Sequence, residues 1–452
     1  MDQKPLFDVG PRREREPGEL PPRVGPRRLR CAVRNQVEFQ ECSLNELLSE
    51  DHEARIVWEY VSGLDLSELR DRIQAVEGGP GQAPADPRIL LTLWLYATLR
   101  GVGSARELDR LCANHTVYRW ICGGVSMNYH TLSDFRTAHV ELLDRLLTAG
   151  VAGLMAEGLV SLDRVAQDGM KVRASAGAAS FRRQATLEEA LAEAEEQVAQ
   201  LKKELEADPG ASKTRQQAAR QRAAEERAAR VRAALEQLPN TPKGKKPQDR
   251  EQARASTTDA DARVMKMGDG GFRPAFNVQL ATATDSQIIT GVEVTNSGSD
   301  QGQLSPMIEQ HQARYEQVPD AALVDGGFAK KEDIEKVEQG GTTVYAPVQK
   351  PKDPQRDPHM PRDDDSAEVA AWRQRMGTDE AKAIYRERAA TAECVNALAR
   401  NRGLQQFLVR GLRKVKAIAL LYALVHNVMR SAALRAAAAL RAQAAPRVVF
   451  NR

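Results

Sequence analysis

Cysteine is scarce in this sequence and never clustered. Cys31, Cys42, Cys112, Cys122 and Cys394 show no CxxC spacing and no nearby group of histidines. Neither a zinc pattern nor a disulfide framework is expected, which fits a reducing compartment. A secretory signal is not evident either, because residues 1–30 are polar and rich in Pro and Arg. Long hydrophobic runs are missing. The longest, near Ile418 to Val425, is too short to span a bilayer and reads as a buried helix. These absences point to a soluble, cytoplasmic protein with no membrane association. Net charge is small, +3 over 452 residues, so the overall balance says little about partners. Acidic residues, however, are absent from 394 onward, while Arg400, Arg402, Arg410, Arg413, Lys414, Lys416 and Arg430 recur. Such a segment suits a polyanion and equally suits a solvated helix face.

What is present divides the chain into four parts. Residues 1–34, with Pro21-Pro22 and many arginines, read as a disordered tail. Residues 35–160 read as helices. Asp86-Pro87 caps one that runs through Ile89 to Tyr96, Ser104 with Glu107 forms a capping box for the next, and Thr131 or Ser133 opens a long helix through Leu147. Short helices with tight connections fit a DNA-binding module as well as a plain bundle. Residues 161–430 read as an α/β domain. Its strands are expected at 165–172, 276–280, 288–294, 322–324 and 343–347, with helices between the later ones. An insertion at 184–255 interrupts it. There Leu187, Leu191, Ala194, Val198, Leu201 and Leu205 form a heptad seam on a mainly acidic helix, and a mainly basic helix follows, the pattern of an antiparallel coiled-coil hairpin. Residues 431–452 read as a basic tail.

The chemistry rests on three acids. Asp168 lies within the first strand and Asp325 ends the strand after the first crossover, so neighbouring strands would bring their carboxylates together. Glu393, on a later helix, could pack across that edge. Carboxylates gathered at one point repel one another unless cations sit between them. Hard oxygen ligands suit Mg2+ or Mn2+, and two such ions can drive phosphodiester transfer. Each residue also has a plainer reading: Asp-Gly is a turn dipeptide, and helical glutamates are mostly solvated.

Joint context decides between these readings. The run Tyr385-x2-Arg388-x4-Glu393-x6-Arg400 resembles the Tyr, Arg, Glu, Lys/Arg helix signature of the DDE insertion-sequence transposases. Asp168-Gly169-Met170-Lys171 and Val324-Asp325-Gly326-Gly327-Phe328 resemble that family's two aspartate blocks. Gly271 to Gln279, Gly298 to Gln303, Arg410 to Val415 and His426 to Arg430 resemble further blocks, all in order. In place of the aromatic-Gly pair that often follows the family's glutamate, Val395-Asn396-Ala397 stands here.

The resemblance implies an RNase H-like mixed five-stranded sheet flanked by helices, with a separate all-α N-terminal domain of the DNA-binding kind. It implies a transposase that cuts DNA at transposon ends and transfers the strand to target DNA. Its partners would be double-stranded inverted repeats and target DNA, with a homodimer in the synaptic complex and a nucleoid-associated location. Asp168, Asp325 and Glu393 would hold two Mg2+ or Mn2+ ions. Arg388 and Arg400 would contact phosphates, with a salt bridge to Glu387 or a neighbouring carboxylate as the plainer reading of Arg388; Tyr385 would stack on a base or bind a phosphate, and Arg410, Arg413 and Lys414 would add to DNA affinity. The alternative is a transposase-derived DNA-binding protein that has lost catalysis.

Overall fold

The computed structural model describes residues 43–75, 83–207, 214–241, 246–351 and 355–444. The tail expected at 1–34 and the last residues, 445–452, lie outside them. The described part opens with helices α1 (Glu53–Ser62), α2 (Ser67–Asp71), α3 (Pro87–Leu99), α4 (Ala105–Asn114), α5 (Thr116–Cys122), α6 (Tyr129–Ala138) and α7 (Val140–Ala156). The caps work as the sequence suggests. The Asp86 carboxylate accepts from Arg88 N at 2.8 Å with Pro87 at the first helical position, and Ser104 Oγ accepts from Glu107 N at 3.4 Å. The single long helix expected from Thr131 is in fact two. Asn128 caps α6 by accepting from Thr131 N, and the chain breaks at His139 before α7. Trp94, fully buried on α3, donates its indole N–H to Leu132 O at 2.9 Å and locks α6 against α3.

Strand β1 (Arg164–Arg173) enters the α/β part. A small two-stranded ladder, β2 (Phe181–Arg182) with β3 (Ala255–Ser256), ties together the two ends of the insertion that begins at 184. Between them α8 (Gln184–Ala207) and α9 (Thr214–Gln237) pack side by side. Leu187 is buried with Val231, Ala234 and Leu238, and farther along, Glu193 pairs with Arg227 and Glu195 with Arg232. The acidic and basic faces therefore meet.

The remaining strands are β4 (Arg263–Lys266), β5 (Phe272–Ala283), β6 (Ile289–Thr295), β7 (Ala321–Leu323) and β8 (Thr343–Tyr345). Helix α10 (Leu304–Tyr315) links β6 to β7, and α11 (Lys331–Gln339) links β7 to β8. The sheet runs β5-β1-β7-β8, antiparallel between β5 and β1 and parallel thereafter. β4 and β6 share the outer edge of β5, β4 along Phe272 to Ala275 and β6 along Asn277 to Thr282. The sheet thus has six strands where five are expected. The extra one, β4, carries only four residues, two of them cationic, too short to show a period.

Helices α12 (Ala367–Met376), α13 (Asp379–Arg388), α14 (Cys394–Asn401) and α15 (Leu412–Ala444) complete the chain. Asp259 and Asp261 start α15 by accepting from Gly411 N at 3.1 Å and Leu412 N at 2.9 Å. α15 is long and apolar enough to cross a membrane by length and composition, yet most of its apolar stretch is buried inside the fold. Val415, Leu420, Tyr422 and Val425 share one core with Trp94 and Leu95 of α3, Leu147 of α7 and Phe276 of β5. The N-terminal helices are therefore not a separate body, and the described residues from 44 to 444 form one compact unit. The expected boundary at 430 falls inside α15.

Two histidines in that core make a testable stability switch. His311 on α10 is fully buried between Thr290 Oγ1 and Met307 O, each at 2.8 Å. His426 on α15 is buried against Gln287 O at 2.8 Å. Burial pulls both down to about 4. Their folded values lie below the unfolded value, so the stability they confer is complete above the unfolded pKa and is lost as pH falls toward 4. Lowering the pH from 7.5 to 5 should cost about 2 kcal/mol per histidine. Urea unfolding curves at the two pH values measure this, and equal midpoints would contradict it.

Candidate active site

The site is built on the register between two parallel strands. Ala166 of β1 pairs with Leu323 of β7, and β7 ends there. Two residues farther along each chain stand Asp168 and Asp325, so continuing the register sets them opposite each other. β1 keeps its other neighbour, β5, with Asp168 opposite Leu280, and loses β7. The carboxylates therefore lie at the crevice beyond the carboxyl end of β7, a usual place for ligands in open α/β sheets. Asp168-Gly169 is strand, not turn. Gly169 is needed because a Cβ there would collide with Asp300 Oδ1 and Gln279 Nε2. Asp325 does start a turn, with its Oδ1 accepting from Gly327 N at 2.8 Å.

Glu393 arrives from the helical side. α13 ends at Arg388, and residues Ala389–Glu393 form one π-helical turn before α14. In a regular α-helix, residues five apart point to different faces. The wider turn compensates, and Arg388 Nη1 meets Glu393 Oε1 at 2.9 Å. Arg388 Nη2 lies 3.1 Å from Asp168 Oδ1 and 4.0 Å from Asp325 Oδ2. All three acids named from sequence thus surround one guanidinium, grading outward from Asp168 (side chain 18% exposed) through Asp325 (41%) to Glu393 (58%).

Electrostatics follow from burial. Burial pushes the Asp168 carboxyl above its ordinary value, and the Asp325 charge adds to this. Arg388, the Gly169 N–H and Asn396 pull it back. Arg388 is buried, which disfavours its charge, but the surrounding carboxylates, Asp168 foremost, raise it overall. Tyr385 is raised by its own burial and packs at the edge of the apolar cluster around Val324 and Phe328.

Three expected DNA contacts stand elsewhere. Arg388 faces inward onto the acids and is buried, so it presents no free surface to a phosphate in this conformation. Arg413 pairs with Glu141 of α7 at 2.7 Å, and Arg410 donates to Ser175 O at 3.2 Å. Lys416 and Arg435 likewise meet Glu293 and Glu157. The acid-free segment therefore neutralises acids on other elements. Arg400 and Lys414 are exposed. Sequence reasoning assigned no role to Asn396, whose Nδ2 donates to Asp168 Oδ2 at 2.9 Å. The available signal was its place three residues after Glu393, on the same helix face.

A family model described as a transposase DDE domain matches residues 245–428, and one described as a transposase domain (DUF772) matches residues 42–138. Together they span more than half of the chain, in the order the fold presents them. The chain belongs to the insertion-sequence DDE transposases. It is accordingly an enzyme that cuts and transfers DNA strands. Asp325 and Glu393 of the transposase fall inside the matched DDE domain, whereas Asp168 falls between the two matched stretches. No curated protein and no solved structure matches the transposase.

The transposase family is generally divalent-metal dependent. Among the described residues no three His, Cys, Asp or Glu side chains close on a common point as a metal cage. The three carboxylates instead share the Arg388 guanidinium. Its Nε and the Asn396 Oδ1 are buried without a partner. The donor set still fits a hard cation: three carboxylate groups already gathered around one positive charge, the outer two open to solvent.

Proposed function

We propose that Asp168, Asp325 and Glu393 are the acids with which this transposase cleaves and joins DNA. The observation that carries the reading is their convergence on one buried guanidinium from three distant places in the chain. The sheet supports an RNase H-like reading, with an antiparallel β6-β5-β1 meander continued in parallel by β7 and β8. The packed α8–α9 pair supports reading 184–255 as a coiled-coil arm. We take the helices within 35–160 as a region that contacts transposon ends.

The roles follow from position. Asn396 and the Gly169 N–H, which donates to Asp168 Oδ1 at 3.0 Å, orient the innermost carboxylate. Asp325 and Glu393 line the open side, where a scissile phosphate can approach. Two Mg2+ or Mn2+ ions held by the three acids would supply Lewis acidity and an activated water or 3′-hydroxyl. Arg388 holds the three acids together, and a divalent ion held by them would take over that charge balance. Tyr385 lies beside it. The substrates on this reading are double-stranded inverted repeats and target DNA, with two subunits in the synaptic complex, in the cytoplasm beside the nucleoid. The non-catalytic alternative has no observation in its favour. The test is magnesium-dependent nicking of end-containing DNA by the wild type and by Asp168→Asn, Asp325→Asn and Glu393→Gln. Equal product from all four proteins would remove the proposed site.

A further inference from the structure

Successive residues of a strand point to opposite faces of the sheet. Asp168 presents its carboxylate to Arg388 and Asn396 on one face, so Gln167, Gly169 and Lys171 belong to the other. In the register Gly169 lies opposite Gln279 of β5 and Lys171 opposite Asn277, which therefore share that second face. Gln167, Asn277 and Gln279 are at most 2% exposed, and buried amides cost stability unless they are hydrogen-bonded.

The residue that gathers them is Asp300, on the loop between β6 and α10. Its Oδ1 accepts from Asn277 Nδ2 at 2.6 Å and from Gln279 Nε2 at 2.8 Å, and its Oδ2 from Lys171 Nζ at 3.3 Å. Gln167 Nε2 extends the cluster by donating to Gln279 Oε1 and to Gln303 O, each at 3.0 Å. The Asp300 carboxylate lies against Gly169, where any side chain would strike it.

β1 is thinly held at this point. On its β7 side the ladder stops at Ala166, and a backbone partner returns only at Arg173, which bonds to Gln405 O and Phe407 N. Between them, among the described residues, no strand lies beside the edge that carries Asp168. The gap that admits a substrate thus also removes the ladder that would keep the peptide in place. The loop beneath is anchored in turn, because Asp333 of α11 accepts from Leu304 N at 3.2 Å and Ser305 N at 3.1 Å. α11 follows the turn begun by Asp325, so one loop is tied to both aspartate segments.

We infer that Asp300 is a positioning residue for the cleavage reaction. From the face opposite the carboxylate it fixes the Asp168-Gly169 peptide, and with it the direction in which Asp168 points. Hydrogen bonds to a charged acceptor are the short, strong ones, which suits a brace. Asp300 acts through Gly169 and takes no part at the reacting atoms. The inference rests on reading Asp168 as one of the DNA-cleaving acids.

The experiment joins three measurements on the full chain: single-turnover nicking of end-containing DNA in magnesium, affinity for the same DNA in EDTA, and amide hydrogen exchange without DNA or metal. Asp300→Ala should slow nicking by about 100-fold, the scale of a 1 Å misplacement, with DNA affinity unchanged. Exchange should quicken in a peptide covering residues 164–173 and stay as in the wild type across α3. Asp300→Asn still offers one oxygen to the two amides but loses the charge facing Lys171, so it should be slowed roughly tenfold. Nicking by Asp300→Ala within about threefold of wild type would overturn the inference. So would slowed nicking with unchanged exchange in β1, or a loss explained by weaker DNA binding. Should Asp300→Ala fail to fold, the isosteric Asp300→Asn decides, and a wild-type rate there would overturn the inference. Normal cutting by Asp168→Asn would instead remove the reading of the acids, while the exchange result would still show whether Asp300 fixes this stretch of β1.

Discussion

Asp168→Asn should reduce metal-dependent nicking by at least about 10³-fold, a loss of roughly 4 kcal/mol of transition-state stabilisation. The substitution is isosteric. It removes the innermost negative charge and one of the oxygen donors that a hard cation prefers, while an amide can still meet Asn396 and Arg388. Folding should survive, because burial already makes the Asp168 charge unfavourable there. The measurement is single-turnover nicking of end-containing DNA, with melting temperature as the control. Asp325→Asn and Glu393→Gln should lose comparable activity, since acids that act as a unit are not additive. A variant that keeps product within about tenfold of wild type would show that its acid is dispensable and that the convergence on Arg388 serves structure alone.

Much of this site is legible in the sequence, for an identifiable physical reason. The segment ending at Asp325 is a short apolar run bounded by glycine, β1 carries its aspartate between Val165-Ala166 and Met170, and setting these two strands side by side in one sheet brings the two aspartates together. Glu393 is recognisable from the Tyr385, Arg388 and Arg400 around it. What stays hidden depends on geometry without a period. The π turn at Ala389–Glu393 alters which face each residue shows, so Arg388, which reads as a phosphate contact or as the partner of one nearby carboxylate, proves to be a buried hub for three. Asn396 looks like a mere departure until the helix sets it against Asp168. The acid-free C-terminus looks like a DNA footprint because its acidic partners, Glu141, Glu157 and Glu293, come from elements far off in sequence. The single core shared by the N-terminal helices and the sheet is hidden for the same reason: α15, which fills it, is the last element made. His426 and Asn427 belong to a block chosen by resemblance, and their work is to pin α15 to the β5–β6 edge. Asn427 exchanges two hydrogen bonds of 2.8 Å with the Ile289 backbone.

Arg388→Ala should expose the link between the guanidinium and the metal. In the wild type, one buried cation balances Asp168, Asp325 and Glu393. Removing one partner of a buried ion pair usually costs about 3–5 kcal/mol, because the remaining charges are left uncompensated. In EDTA, Arg388→Ala should therefore melt well below the wild type. Magnesium or manganese should then restore much of the loss, since a divalent ion can take the vacated position; at a concentration about 100 times its Kd it would return about 2.7 kcal/mol. The wild type should gain less from the same ion, because there the metal must first displace the guanidinium. Arg388→Lys should fall between the two, keeping one charge but losing the forked contact to two acids at once. The readout is the melting temperature of each protein with and without divalent ion, which needs neither DNA nor activity. If Arg388→Ala is as stable as the wild type in EDTA and indifferent to metal, the three acids neither need a shared cation nor bind one. The proposed centre would then have to be sought elsewhere in the fold.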